Sequence, residues 1–153
     1  MKRAHAAALL ALLVAIPAAT AGSLFAPREK PCFAAGDTAY RISDSSAADV
    51  TVRIDIAAAN PDLRMQLTDN AAAADFVLVD DAEAGNACPG TVQSIRIDPA
   101  ARKPDVTVAL SRAPAAYKIY VRSAGFSQQD AAALFAVLWR NAGKTARQLA
   151  ARD

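Results

Sequence analysis

Residues 49–67 read DVTVRIDIAAANPDLRMQL. Val50, Val52, Ile54 and Ile56 fall on one side of an extended chain, and Thr51, Arg53 and Asp55 on the other. Leu63, Met65 and Leu67 resume the alternation after the break at Pro61-Asp62. A side-chain period of two marks a strand with one buried and one wet face. The residues between the two runs are too few for the helical crossover that parallel neighbours ordinarily need. The stretch therefore predicts strands paired through hairpins.

The same alternation recurs on both sides of it. A short strand is expected around Tyr40 to Ile42. Thr91 to Asp98 places Ile95 and Ile97 opposite Arg96, Val106, Val108 and Leu110 share a face, and Ile119 and Val121 oppose Lys118, Tyr120 and Arg122. Residues 76–79, Phe-Val-Leu-Val, are apolar on both faces and read as a central, doubly covered strand. Pro99 to Pro104 and Arg112 to Ala115 break the later runs. The segment SDSSAADVTVRID from Ser43 echoes TDNAAAADFVLVD from Thr68 with one residue inserted. Asp49 and Asp75 then share a job, expected to be the closing of a local turn before each strand.

One helix follows. Ser127 suits an N-cap, with Asp130 three residues later in the capping-box position. Leu134, Val137, Leu138 and Ala142 recur at helical spacing, and Phe135 and Trp139 form a neighbouring stripe expected to pack on the sheet. Gly143 is expected to end or weaken the helix, with continuation over Lys144 to Arg152 as the alternative, since Leu149 falls near the same stripe. The predicted fold class is α+β: a mainly antiparallel sheet of six to seven short strands, with one C-terminal amphipathic helix packed on a face.

Residues 1–21 have the order of a secretory signal peptide: Lys2 and Arg3, an apolar run from Ala6 to Ile16, then Ala19-Thr20-Ala21. The run is short for a membrane span. Cleavage is expected near Ala21, placing the mature chain in the periplasm or outside the cell, with no membrane span. Residues 22–37 read as an irregular arm that becomes ordered near Cys32, and 38–153 as a single α+β domain. The formal charge of +2 comes from Lys2 and Arg3, because the remaining acidic and basic residues balance. Neutrality speaks against a nucleic-acid partner. The single His is His5, within the signal, so the mature chain has no Ser-His-Asp triad, Cys-His pair or His-ligated zinc.

Cys32 and Cys88 are the two cysteines. Their even number and the oxidising compartment predict a disulfide, worth about 4 kcal/mol on a chain-entropy estimate. Asp80, Asp81 and Glu83 form an acidic group after the apolar run. As a calcium loop counted from Asp81, it has Asn86 where glycine belongs and Val92 where the closing Glu belongs. The group reads first as charges at a strand exit, and otherwise as the site of a His-independent hydrolase. Arg53, Arg96, Lys118 and Arg122, beside Tyr120, sit on polar strand faces and mark a candidate surface for an anionic ligand or an envelope protein. No glycine-rich phosphate loop or metal-ligand spacing is present, so no cofactor and no metal is expected. Taken together, the sequence implies an exported protein of bacterial type that acts as a non-catalytic binding or accessory module of the cell envelope. The alternatives are the carboxylate hydrolase, or an interaction or inhibitor protein that pairs an exposed strand with its partner.

Overall fold

A computed structural model describes residues 31–79, 88 and 90–150, with side chains through Gly143. The elements are β1 (Phe33–Ala35), β2 (Thr38–Ile42), β3 (Val50–Ile54), β4 (Leu63–Leu67), a short 3-10 turn (Ala71–Ala73), β5 (Phe76–Val79), β6 (Thr91–Ile97), β7 (Val106–Ser111), β8 (Tyr117–Arg122) and α1 (Gln128–Ala150). The fold is α+β, with one C-terminal helix and one sheet of eight strands in the order β1-β2-β6-β3-β7-β4-β8-β5.

The expected antiparallel meander of six to seven strands is not the observed arrangement. Only β1 and β2 pair antiparallel, through a tight turn in which Gly36 takes φ 59°. Every other pairing is parallel. Two series of strands interleave: β2, β3, β4 and β5 alternate across the sheet with β6, β7 and β8. The register explains why short connections suffice. Ile42 ends β2 opposite Ile95, and Val50 begins β3 opposite the same Ile95. Val52 likewise faces Ile97 at the end of β6 and Val106 at the start of β7. Val108 faces Ile54 and Leu63, and Ile119 faces Leu67 and Phe76. Each strand therefore starts at the height where the previous one of its series stopped. The chain has only to step sideways over one intervening strand, about 10 Å, with no return path along the sheet. The crossover rule applies to parallel strands that start level with each other, and these do not.

In such a staircase one strand continues past the point where its neighbour begins, which takes a backbone group beyond the regular ladder. At four of the five steps, those that begin β3, β4, β5 and β7, an aspartate supplies the partner. Asp62 donates its N–H to the Thr107 carbonyl at 2.9 Å, and its carboxylate accepts the Thr107 N–H at 2.7 Å. Asp75 does the same with Lys118, at 2.8 and 2.7 Å, and Asp105 with Thr51, at 2.8 and 2.9 Å. At the fourth step the Asp49 carboxylate accepts the Ser94 N–H at 2.7 Å and the Ser94 hydroxyl at 2.6 Å. The Asp49 N–H completes the ring by donating to Ser94 Oγ at 3.0 Å. Asp49 and Asp75 do share a job, then, but it is a clamp on a distant strand rather than a local turn.

The sheet curls around α1. Eight strands laid flat would be about 34 Å wide between the outermost two. Yet the rings of Phe33 on β1 and Phe76 on β5, the two terminal strands, lie 5.9 Å apart. Phe76 also meets Phe135 at 5.5 Å, and Phe135 meets Tyr117 at 5.3 Å. Inside the curl α1 is buried from its second turn: Ala131, Ala132, Ala133, Leu134, Ala136 and Val137 are fully covered. Small side chains let the strands close on the helix backbone, which accounts for the alanine-rich helix. The capping box forms as expected. Ser127 Oγ accepts the Asp130 N–H at 3.1 Å, and the Asp130 carboxylate accepts the Ser127 N–H at 2.8 Å. The helix runs through Gly143 to Ala150. Trp139 is 40% exposed, not packed within the core, and its indole N–H donates to the Tyr117 hydroxyl at 3.2 Å.

Cys32 and Cys88 form a disulfide, with Cα atoms 5.5 Å apart. It ties the chain just before β1 to the chain just before β6. The short β1 thus lies within the segment expected to be irregular, close to the cysteine expected to order it. Arg41 reaches Cys88 Sγ through Nη2 at 2.9 Å.

Candidate functional site

The alternation of each strand decides which residues leave the core. Val50, Val52, Leu63, Met65, Ile95, Val106, Val108 and Ile119 point inward and are buried. Their neighbours in sequence, Arg53, Arg96, Lys118, Tyr120 and Arg122 among them, lie on the outer face of the sheet. The basic positions share that face but split into two groups. Arg96 and Arg53 belong to the adjacent strands β6 and β3, whereas Lys118, Tyr120 and Arg122 belong to β8, with β7 and β4 between. Arg96 is ion-paired with Asp98 at 3.0 Å, and Arg53 Nη1 donates to the Ala101 carbonyl at 3.3 Å. The first group is therefore committed to its own surroundings. The second borders the sheet edge, where Tyr120 stands beside Val77 and Arg122 beside Val79.

That edge is β5. The apolar run at 76–79, expected at the centre of the sheet, is its terminal strand. Phe76 and Leu78 face the core, but Val77 is 46% and Val79 39% exposed. The run is apolar on both faces because its outer side chains are left in solvent, not because a second layer covers them. Among the described residues no chain pairs with the far side of β5. None of its four residues is charged and none is proline, so the usual devices that blunt a sheet edge are missing from the strand itself.

Asp80, Asp81 and Glu83 lie outside the described residues, as does the proposed signal 1–21. Among the described residues no group of three or more His, Cys, Asp or Glu side chains is placed to hold a metal. No helix among them is long and apolar enough to cross a membrane.

The residues that organise the sheet were only half visible. The repeat ADVTV, PDLRM, ADFVL, PDVTV at 48–52, 61–65, 74–78 and 104–108 carries Asp at its second place each time, and Asp49, Asp62 and Asp75 recur every 13 residues. Asp62 and Asp105 follow prolines, which hides them in apparent turn dipeptides. The electrostatic consequence is clearest at Asp49. The Ser94 hydroxyl, then the Ser94 backbone N–H, hold its carboxyl below the ordinary value near 3.8. Asp105 additionally accepts an ion pair from Arg140 at 2.8 Å, tying α1 to the third clamp. No family model, no curated protein and no solved structure matches this chain.

Proposed function

We propose that the chain is an exported, non-catalytic binding module of the cell envelope, and that it holds its partner by strand addition along β5. The exposed, uncharged, hydrogen-bonding edge of β5 carries this reading. An extended segment laid against β5 would gain main-chain hydrogen bonds from the side of the strand with which no described residue pairs. Its alternate side chains would cover Val77 and Val79 on one face, beside Tyr120 and Arg122. Export is supported by the charged-head, apolar-middle, small-residue order of the first 21 residues and by the Cys32–Cys88 disulfide, which belongs to an oxidising compartment.

The test places a photo-reactive residue at Val77 in cells and identifies what it captures. It then repeats the capture in the Val79→Lys variant, which changes a side chain that is 39% exposed. The reading expects one predominant envelope protein, cross-linked through an extended segment and lost in the Val79→Lys variant. Capture that persists with the lysine in place, or no capture at all, removes strand addition at this edge.

A further inference from the structure

A different part of the molecule, apart from the β5 edge, holds a cleft. At the carboxyl ends of β3, β7 and β4 the curled sheet opens into a cleft of about 440 Å³, lined by Ile54, Leu67 and Leu110, by Asp55 to Ala57, and by Gln128 and Gln129 of the first turn of α1. The helix begins too late along the curl to cover the last inward side chains of β3 and β4, whereas Leu110 of β7 is buried. Ile54 and Leu67 are therefore only partly buried, although their alternation aims them at the core. Ile56 on the rim is 74% exposed, more than any other large apolar side chain among the described residues. Covering a side chain of that size is favourable, and no described element covers it. The volume lies in the lower part of the range of small-molecule sites, and the carboxyl ends of parallel strands beside a helix start are a recurrent place for them.

The lining also selects the kind of ligand. Among the described residues neither Lys nor Arg lines it. Its one charged group is the Asp55 carboxylate, whose Oδ1 already accepts the Ala57 N–H at 2.9 Å. The remaining polar groups, Gln128 and Gln129, are neutral amides at the solvent side. We propose that this cleft binds a small uncharged amphipath: an alkyl or similar apolar body seated on Ile54, Leu67 and Leu110 and covered by Ile56, with a hydroxyl- or amide-bearing head against the two glutamines. An anionic head would meet the Asp55 carboxylate with no cation to offset it.

The test compares two probes with the same chain, n-octyl glucoside and octanoate, each below its micelle concentration. They are titrated into the folded, disulfide-bonded protein while methyl resonances are followed by NMR. The glucoside is expected to shift the methyls of Ile54, Ile56, Leu67 and Leu110 in a saturable way, and octanoate to bind at least tenfold more weakly. Ile56→Asp, on a side chain already in solvent, is expected to weaken the glucoside severalfold without changing the rest of the spectrum. Absence of saturable shifts, shifts centred elsewhere, octanoate binding as tight as the glucoside, or an unaffected Ile56→Asp variant would each overturn the assignment.

Discussion

Replacing Asp62 by Ala removes one clamp and leaves the rest of the sheet in place. Its carboxylate is the acceptor for the Thr107 N–H at 2.7 Å, and Thr107 is 6% exposed, on the strand most deeply buried in the sheet. Truncation leaves that donor without an acceptor where water reaches it poorly. An abandoned buried donor costs about 1–3 kcal/mol, and a bond to a charged acceptor sits in the upper half of that range. The bond from the Asp62 N–H to the Thr107 carbonyl survives the substitution, which limits the loss to one contact. Asp62→Ala should therefore destabilise the protein by about 2 kcal/mol, lowering the urea midpoint at unchanged slope. Asp62→Asn keeps an oxygen acceptor and should lose about half as much. Asp69→Ala is the control. It breaks the Arg112 ion pair at 3.0 Å, in which both side chains are mostly in solvent, and should cost less than about 0.5 kcal/mol. Hydrogen exchange reads the same event locally, with the Thr107 amide losing protection first. A stability for Asp62→Ala within about 0.5 kcal/mol of the parent, with Thr107 still protected, would refute the view that the carboxylates hold the staircase.

Three further outcomes follow from the same geometry. Because the Ser94 groups depress the folded-state pKa of Asp49, its carboxylate contributes stability that is present above the unfolded value near 3.8 and lost as pH falls through the lower folded value. The stability difference between the parent and Asp49→Asn, followed by urea titration across the acid range, should accordingly shrink below pH 3.8. Ala132→Leu forces a larger side chain between α1 and the enclosing strands, where Ala132 has no exposed surface, and should cost about 1–3 kcal/mol by calorimetry. Ala142→Leu, on the exposed side of the helix, should stay within about 0.5 kcal/mol. Reduction of Cys32–Cys88 should lower stability by about 2–4 kcal/mol, and hydrogen exchange should show the loss of protection concentrated in β1 and β2, the elements next to the bridge.

Period-two alternation located the strands well, since it depends only on which side of a strand meets the core. Residues 63–67 match their observed strand at both ends, and the helix start was written in Ser127 and Asp130. The pairing was not legible in the same way. Connection length fixes strand direction only if strands begin level, and no single segment reveals a stagger. Residues 76–79 misled for a related reason. Apolar side chains on both faces fit a doubly covered strand and an uncovered edge equally well, and only the strand order separates the two. Asp49 and Asp75 were visible as a repeated position, yet their partners Ser94 and Lys118 lie more than forty residues away, beyond any local motif. The cleft was hidden altogether, because Ile54, Leu67, Leu110 and Gln128 belong to four different elements, each unexceptional alone.

The interleaved parallel register is most directly tested by backbone NOEs in solution. Val52 should show cross-strand contacts to both Ile97 and Val106, and Ile119 to both Leu67 and Phe76. Close Hα–Hα contacts between residues 50–54 and 63–67, the signature of a hairpin joining β3 directly to β4, would contradict it.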